Sequence, residues 1–313
     1  MRGFRLTVLL ALWLPLAAYA ADRFEMQAQE VAPNVYAVLS GSLDFPSEAN
    51  QGWNSNLAFI VTDDGVLVFD TGSSEAIGEA LRQQIRQVTD APIRWIINSH
   101  AHGDHWMGTA ALMEEAGTEV IATTTTRDLI AEGGQGWIDD FNRMTGGAIG
   151  SVRVVVPETT IDQDTERSFG GVRTVMLVAE HAHSPGDMAL WLPDHQVLLA
   201  ADAVYEGRLP GTFDADIPGW IDFLHRLEAL GAEVVVPGHG NVGDGATLVR
   251  QRDFFETVWA LAEAGFEAGQ LDFEVAETAR TEMAHFETYY PDLQEGVGAI
   301  VSRAYLQVEA TLF

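Results

Sequence analysis

Cysteine and lysine are both missing from this chain of 313 residues. Without cysteine there is no disulfide, no thiolate metal ligand, no cysteine nucleophile and no lipidated N-terminal cysteine. Without lysine, all 17 basic residues are arginine, set against 46 acidic ones for a net charge of −29. A surface this acidic repels the phosphate backbone of nucleic acids and anionic lipid headgroups, which bind through Lys and Arg. Nucleic acid and membrane surfaces are therefore poor partners, and a small-molecule substrate is the expected one. Disorder is excluded by composition, since 47% of residues are hydrophobic and 20% charged, enough for a sizeable core.

Long apolar runs are scarce too. The N-terminus reads Met1-Arg2-Gly3-Phe4-Arg5, then an apolar run over residues 6–18, then Ala18-Tyr19-Ala20. A basic start, a short apolar stretch and a small-x-small site form a secretory signal peptide over residues 1–20. With Pro15 inside it, the run is too short to cross roughly 30 Å of hydrocarbon. Its removal takes away Arg2 and Arg5 and leaves 15 basic against 46 acidic residues, a net charge of −31. The expectation is a periplasmic or secreted protein with no membrane attachment after cleavage. Residues 21–313 then form a single domain, with a helical extension from about residue 245.

Past the signal, β-rich runs alternate with helical ones. Residues 31–39 read as one strand, Asn34 aside. Residues 57–61 and 66–69 read as a hairpin turning at Thr62-Asp63-Asp64-Gly65, where Asp-Gly is a strong turn signal. Residues 75–88 carry Ile77, Leu81 and Ile85 at helical spacing. A strand at 93–98, a short helix at 108–116 and a strand at 119–122 follow. The six glycines of residues 131–150 give a loop-rich segment. The second half repeats the plan, with a strand at 172–179, a hairpin over 188–192 and 196–201, a helix at 217–230 and a strand at 234–236. Val66-Leu67-Val68-Phe69-Asp70 aligns with Leu198-Leu199-Ala200-Ala201-Asp202, and both hairpins end in an aspartate, the mark of an internal duplication.

Three segments that follow apolar strands hold the chemistry. The densest is Asn98-Ser99-His100-Ala101-His102-Gly103-Asp104-His105-Trp106. Three imidazoles and a carboxylate within six residues are costly to pack as ordinary core, and a metal satisfies them most simply. His100 and His102 point one way while Asp104 and His105 curl round a second point, so one segment can serve two ions. The others are Glu180-His181-Ala182-His183-Ser184-Pro185-Gly186-Asp187 and Val234-Val235-Val236-Pro237-Gly238-His239-Gly240, with Asp202 between them.

These residues resemble the metallo-β-lactamase-fold hydrolases over roughly residues 31–245, through His-x-His-x-Asp-His and the later His, Asp and His in order. The resemblance implies an α/β protein, a four-layer αβ/βα sandwich of two mixed β-sheets flanked by helices, with a C-terminal helical extension. It implies His100, His102 and His183 on one metal, Asp104, His105 and His239 on a second, and Asp202 bridging both. Asp70 matches the family's first motif as a residue orienting the ligand loop; as a helix cap it competes with Ser73 and Ser74. His181 reads as a satisfied polar contact, and His195, His225 and His285 as surface or capping residues. Seven N and O donors without sulfur suit two zinc ions, and iron or manganese accept the same set.

The implied activity is hydrolysis by a metal-bridging hydroxide, with Asp104 orienting the nucleophile. Trp53 and Trp106 are candidates for the walls of the cleft. Family nucleases need basic surfaces, and the family's diiron reductases put glutamate where His102 stands. Its β-lactamases generally lack an aspartate at the position of Asp202, which points to small esters, lactones, thioesters or amides. Tyr205 matches a tyrosine that the family's acyl-homoserine lactonases place near the substrate carbonyl. Arg208, on the loop leaving the strand of Asp202, is the candidate clamp for an anionic substrate in a chain without lysine. Two alternatives are β-lactam hydrolysis and a metal-carrying accessory role in periplasmic redox or sulfur metabolism.

Overall fold

The computed structural model of the protein describes residues 24–113 and 117–311. The signal-peptide reading of residues 1–20 lies outside the described residues, as does the end of the helix expected at 108–116.

Two sheets face each other. One has seven strands in the order β1 (Ala28–Ala32), β2 (Val35–Val38), β3 (Leu57–Thr62), β4 (Gly65–Phe69), β5 (Ile93–Ile97), β6 (Glu119–Ala122) and β7 (Thr159–Thr160). The other runs β12 (Val234–His239), β11 (Val197–Tyr205), β10 (Met188–Leu192), β9 (Val172–Val178) and β8 (Thr165–Phe169). The near-continuous apolar strands are explained by burial on both faces. In β4, Leu67 and Phe69 point into the core between the sheets, where they meet Met188, Leu190 and Leu199. Val66 and Val68 point the other way, onto Ile77, Leu81 and Ile85 of helix α1 (Glu75–Val88). In β11, Leu199 and Ala201 face inward while Leu198 and Ala200 pack under helices. The result is the expected four-layer arrangement of helix, sheet, sheet and helix.

The duplicated plan is visible in the pairing. β3 and β4 form an antiparallel hairpin, α1 follows, and β5 returns parallel to β4. β10 and β11 do the same, followed by helix α5 (Ile217–Glu228) and β12 parallel to β11. Helices α6 (Gly245–Glu267), α7 (Asp272–Glu282) and α8 (Leu293–Ala310) then cover the outer face of the five-stranded sheet. They are the C-terminal extension, and they share that core with Trp220 and Phe223 of α5.

Two expectations are corrected. Residues 31–39 are not one strand: Asn34 adopts φ 62°, a left-handed conformation that asparagine tolerates, and the chain turns back between β1 and β2. Residues 131–150 are mostly helix. Between α2 (Gly103–Trp106), α3 (Thr109–Leu112) and the second half lies α4, Thr124–Met144, capped by Thr123 accepting from Thr126 N. Ile130, Gly134, Ile138 and Phe141 form its buried stripe. The glycines conceal this helix because one of them is needed for contact: a Cβ on Gly134 would lie 3.0 Å from the Trp106 ring.

Candidate metal centre

Strand ends deliver every candidate donor to one end of the sandwich. His100 and His102 lie just past β5, Asp104 and His105 open α2, His183 follows β9, and Asp202 and His239 belong to β11 and β12. β11 and β12 approach so closely at this point that a Cβ on Gly238 would fall 1.9 Å from Asp202 Oδ1. Only glycine lets the His239 strand lie against the carboxylate.

Each imidazole is held from behind. His105 Nδ1 donates to Asp70 Oδ2 at 2.8 Å, His239 Nδ1 to the Asn54 carbonyl at 2.8 Å and His183 Nδ1 to the Gly211 carbonyl at 3.0 Å. Ser99 Oγ gives its proton to Asp70 Oδ2, so it accepts from His100 Nδ1 at 3.0 Å. His102 is reversed: Nε2 donates to Asp214 Oδ2 at 3.0 Å, and Nδ1 faces inward. The outer hydrogen bonds thereby choose the tautomer of each neutral ring, and five inner nitrogens converge.

Those nitrogens form two groups. One ligand atom each from His100, His102, His183 and Asp202 lie within 4.8 Å of one another, and so do those of Asp104, His105 and His239. Asp202 stands between the groups, with Oδ1 3.1 Å from His105 Nε2 and Oδ2 3.2 Å from His239 Nε2 and 3.4 Å from His183 Nε2. Asp104 Oδ2 is 3.6 Å from His239 Nε2. His100 Nε2, His105 Nε2 and Asp202 Oδ1 are buried without a hydrogen-bond partner. His102 Nδ1 and His183 Nε2 lie 2.9 Å apart with lone pairs opposed. Such an arrangement is unfavourable by itself and is resolved by cations among the donors. The donor set fits divalent metal.

The electrostatics agree. Burial, reinforced by the neighbouring imidazoles, pushes His100 well below the usual histidine range, and burial takes His183 down to about 3. Both stay neutral at pH 7, as ligands must. At His105 burial also lowers the value, but Asp202, Asp104 and Asp70 outweigh it and raise it well above the ordinary one, so a metal there would take the place of a proton on Nε2. Burial raises Asp202, yet His239 and His105 hold it well below the carboxylate range. The carboxylates thus concentrate negative charge on a site built for cations.

A cavity of about 410 Å³ opens over the donors His102, Asp104, His183, Asp202 and His239. Its walls are Phe45, Trp137, Phe141, Met144, Phe213 and the arginines Arg143 and Arg208. Trp53 and Trp106 do not line it. Both are core, their indole N–H groups bonded to the Ser55 and Ala101 carbonyls. Tyr205 is at the floor, its hydroxyl donating to Asp202 Oδ2 and its ring stacked 4.9 Å from that of His239. Burial and Asp202 raise its pKa well above 10, so the phenol keeps its proton. Arg208 is only 8% exposed and donates to the Leu43 carbonyl at 3.1 Å.

Asp70 lies under the ligand loop, accepting from Ser99 N as well as from His105, while Ser74 caps α1. His181 bonds the Asp214 carbonyl and lies outside both donor groups. His225 pairs with Glu256 at the surface, and His285 bonds the Glu282 carbonyl. The sequence reading missed Asp214, Asn54 and Gly211 as anchors, which nothing in their local sequence marks. It also missed Trp137 and Phe141, whose helical spacing with Ile130 was there to be read.

A sandwich of this build, with imidazoles and carboxylates converging at its strand ends, is that of a metal-dependent hydrolase. A family model described as the metallo-beta-lactamase superfamily matches residues 51–239, and the chain belongs to that superfamily. It is 24% identical over 279 residues to a linear primary-alkylsulfatase of Pseudomonas sp. (strain ATCC 19151), covering 77% of this chain and 52% of the relative. It is 23% identical over 207 residues to a type 2 metallo-beta-lactamase of Bacillus sp. (strain 170), covering 64% and 73%. A solved stereoselective inverting sec-alkylsulfatase from Pseudomonas sp. superposes with a TM-score of 0.69 at 19% identity, over 93% of this chain and 51% of that one. The chain thus spans about half the length of the alkylsulfatases it matches.

Proposed function

We propose that the protein is an exported, dinuclear zinc-dependent hydrolase of a small ester, lactone, thioester or amide. One observation carries the reading: two groups of donors, their tautomers set by outer hydrogen bonds, flank Asp202 at the floor of a cavity with apolar walls. His100, His102 and His183 would hold one ion, Asp104, His105 and His239 the other, and Asp202 would link them. Nitrogen and oxygen donors without sulfur suit zinc, and iron or manganese accept the same set. When bound, the ions supply Lewis acidity and a water acidified enough to act as nucleophile at neutral pH.

The protein's own groups do the rest. Tyr205 keeps Asp202 in place by donating to Oδ2. Asp104, 8% exposed at the cavity floor, orients the nucleophile. Trp137, Phe141 and Phe213 present apolar surface to the organic part of the substrate and exclude water around it.

A sulfuric ester is the second reading, favoured by the names of the alkylsulfatase relatives and by the guanidinium of Arg208 in the cavity wall. The β-lactamase relative supports adding a β-lactam. The test is turnover by zinc-loaded protein of a chromogenic carboxylic ester, a lactone, a cephalosporin and an aryl sulfate. Turnover of the ester or lactone is the expected result. Full metal occupancy with every substrate inert overturns the hydrolase reading and favours a metal-carrying accessory role in redox or sulfur metabolism.

A further inference from the structure

A second cavity, of about 630 Å³, adjoins the one over the donors. Phe45, Arg208, Gly211 and Phe213 line both, so the two chambers meet across them. The far wall of the outer chamber is a face of α8 that presents Ala299, Ile300 and Leu306. Leu209 and Pro210 form its base. Polar residues reach it as well, and three of them are already occupied. Asp292 accepts from Leu209 N, Ser302 donates to Asp272 Oδ2, and Arg303 donates to the Ala215 carbonyl. What the chamber offers a ligand is apolar contact.

The junction is unusual for this chain. Phe45 and Phe213 are 71% and 84% exposed, and Leu306 is 59% exposed. Arg208 is the one arginine that is buried among the described residues. Its guanidinium lies 4.7 Å from the centre of the Phe45 ring, and no carboxylate pairs with it among the described residues. A charge withdrawn from water without a counter-ion is costly, and a ligand's oxygen atoms would relieve it. Apolar side chains exposed on both sides of that charge want an apolar partner.

We infer that the outer chamber receives the aliphatic chain of a medium-chain amphiphile, which passes between Phe45 and Phe213 and sets its polar end beside Arg208. The inference rests on the hydrolase reading above and names its substrate class, an ester of a chain long enough to leave the inner cavity. It assigns α8, in the C-terminal extension, to substrate selection.

The test uses the zinc-loaded full chain with p-nitrophenyl esters from acetate to decanoate, and calorimetric binding of decanoate with acetate as control. Each methylene buried is worth about fourfold, so kcat/KM should rise at least about tenfold from acetate to decanoate. Ala299→Trp, on an exposed helical position facing the chamber, should obstruct it. The gain should shrink to within about threefold, with acetate ester turnover unchanged. Leu306→Asp, also exposed, should weaken decanoate binding about tenfold and leave acetate unaffected. If no ester is turned over but decanoate binds and both variants weaken it, the chamber is supported and the hydrolase reading alone falls. Turnover independent of chain length, with decanoate binding no tighter than acetate, overturns the inference and leaves the hydrolase. A dimer that Ala299→Trp disperses, without decanoate binding, assigns the chamber to a second copy and overturns it as well.

Discussion

Asp70 Oδ2 lies 2.8 Å from His105 Nδ1, and the aspartate that makes this contact sits at φ 60°. Aspartate, like asparagine, tolerates that left-handed conformation, and burial raises its carboxyl pKa although His105 and Ser99 pull it down. The contact directs the Nε2 lone pair of His105 towards Asp202. Asp70→Asn tolerates the same backbone but removes the charge, so zinc affinity should fall 10- to 100-fold. Calorimetric zinc titration reads this, with circular dichroism to show the fold intact. Unchanged affinity would mean that Asp70 supports the loop without tuning the site.

Two donor groups joined by one carboxylate predict two metals per chain. Elemental analysis after zinc-replete purification should approach two equivalents. Asp104→Ala, which removes a donor and the orienting carboxylate together, should lower kcat by about 10² or more. His195→Ala, at the β10–β11 turn, should change little. A stable single equivalent with full activity is the result that sinks the dinuclear reading.

Arg208 is not the solvated surface arginine that an acidic protein so often carries; it is buried in the cavity wall. A charge-assisted hydrogen bond of about 1.5–3 kcal/mol corresponds to a tenfold or greater effect. Arg208→Ala should therefore raise KM for substrates carrying a carboxylate or sulfate by about tenfold or more, and leave KM for neutral short-chain esters within about twofold. Equal shifts for both kinds of substrate would falsify the clamp.

Asp187 is a buried carboxyl that accepts from Ser184 N at 2.9 Å and from Ser184 Oγ at 2.6 Å, shaping the turn behind His183. Burial pushes its pKa up to about 6 despite those bonds. Because the folded value exceeds the unfolded one, near 3.9, its favourable contribution is complete below about pH 4 and disappears as pH rises through 6. In metal-free protein, Asp187→Asn should be more stable relative to wild type at pH 8 than at pH 4, by about 2–3 kcal/mol. Urea denaturation at the two values measures this. A difference that does not vary with pH shows that the carboxyl ionises freely in the folded state.

The donor types were legible in the sequence, because they lie in segments of a few residues: the run from His100 to His105, and His183, Asp202 and His239, each beside an apolar strand, whereas their division into two groups was implied by the family resemblance. The same holds for α1 and both hairpins, whose periodicity and turn residues are local signals. Where periodicity was interrupted, the reading failed. The glycines of α4 serve the contact with Trp106, which no neighbouring residue announces. Tertiary structure alone decided which nitrogen of each imidazole faces the site, since the partners are distant in the chain: Asn54 lies 185 residues from His239, and Asp214 lies 112 from His102. It also decided that Arg208 is buried between two chambers, one of them closed by a helix nearly a hundred residues further on. A residue's type is written at its own position, but its protonation, orientation and solvent access belong to whatever folding brings against it.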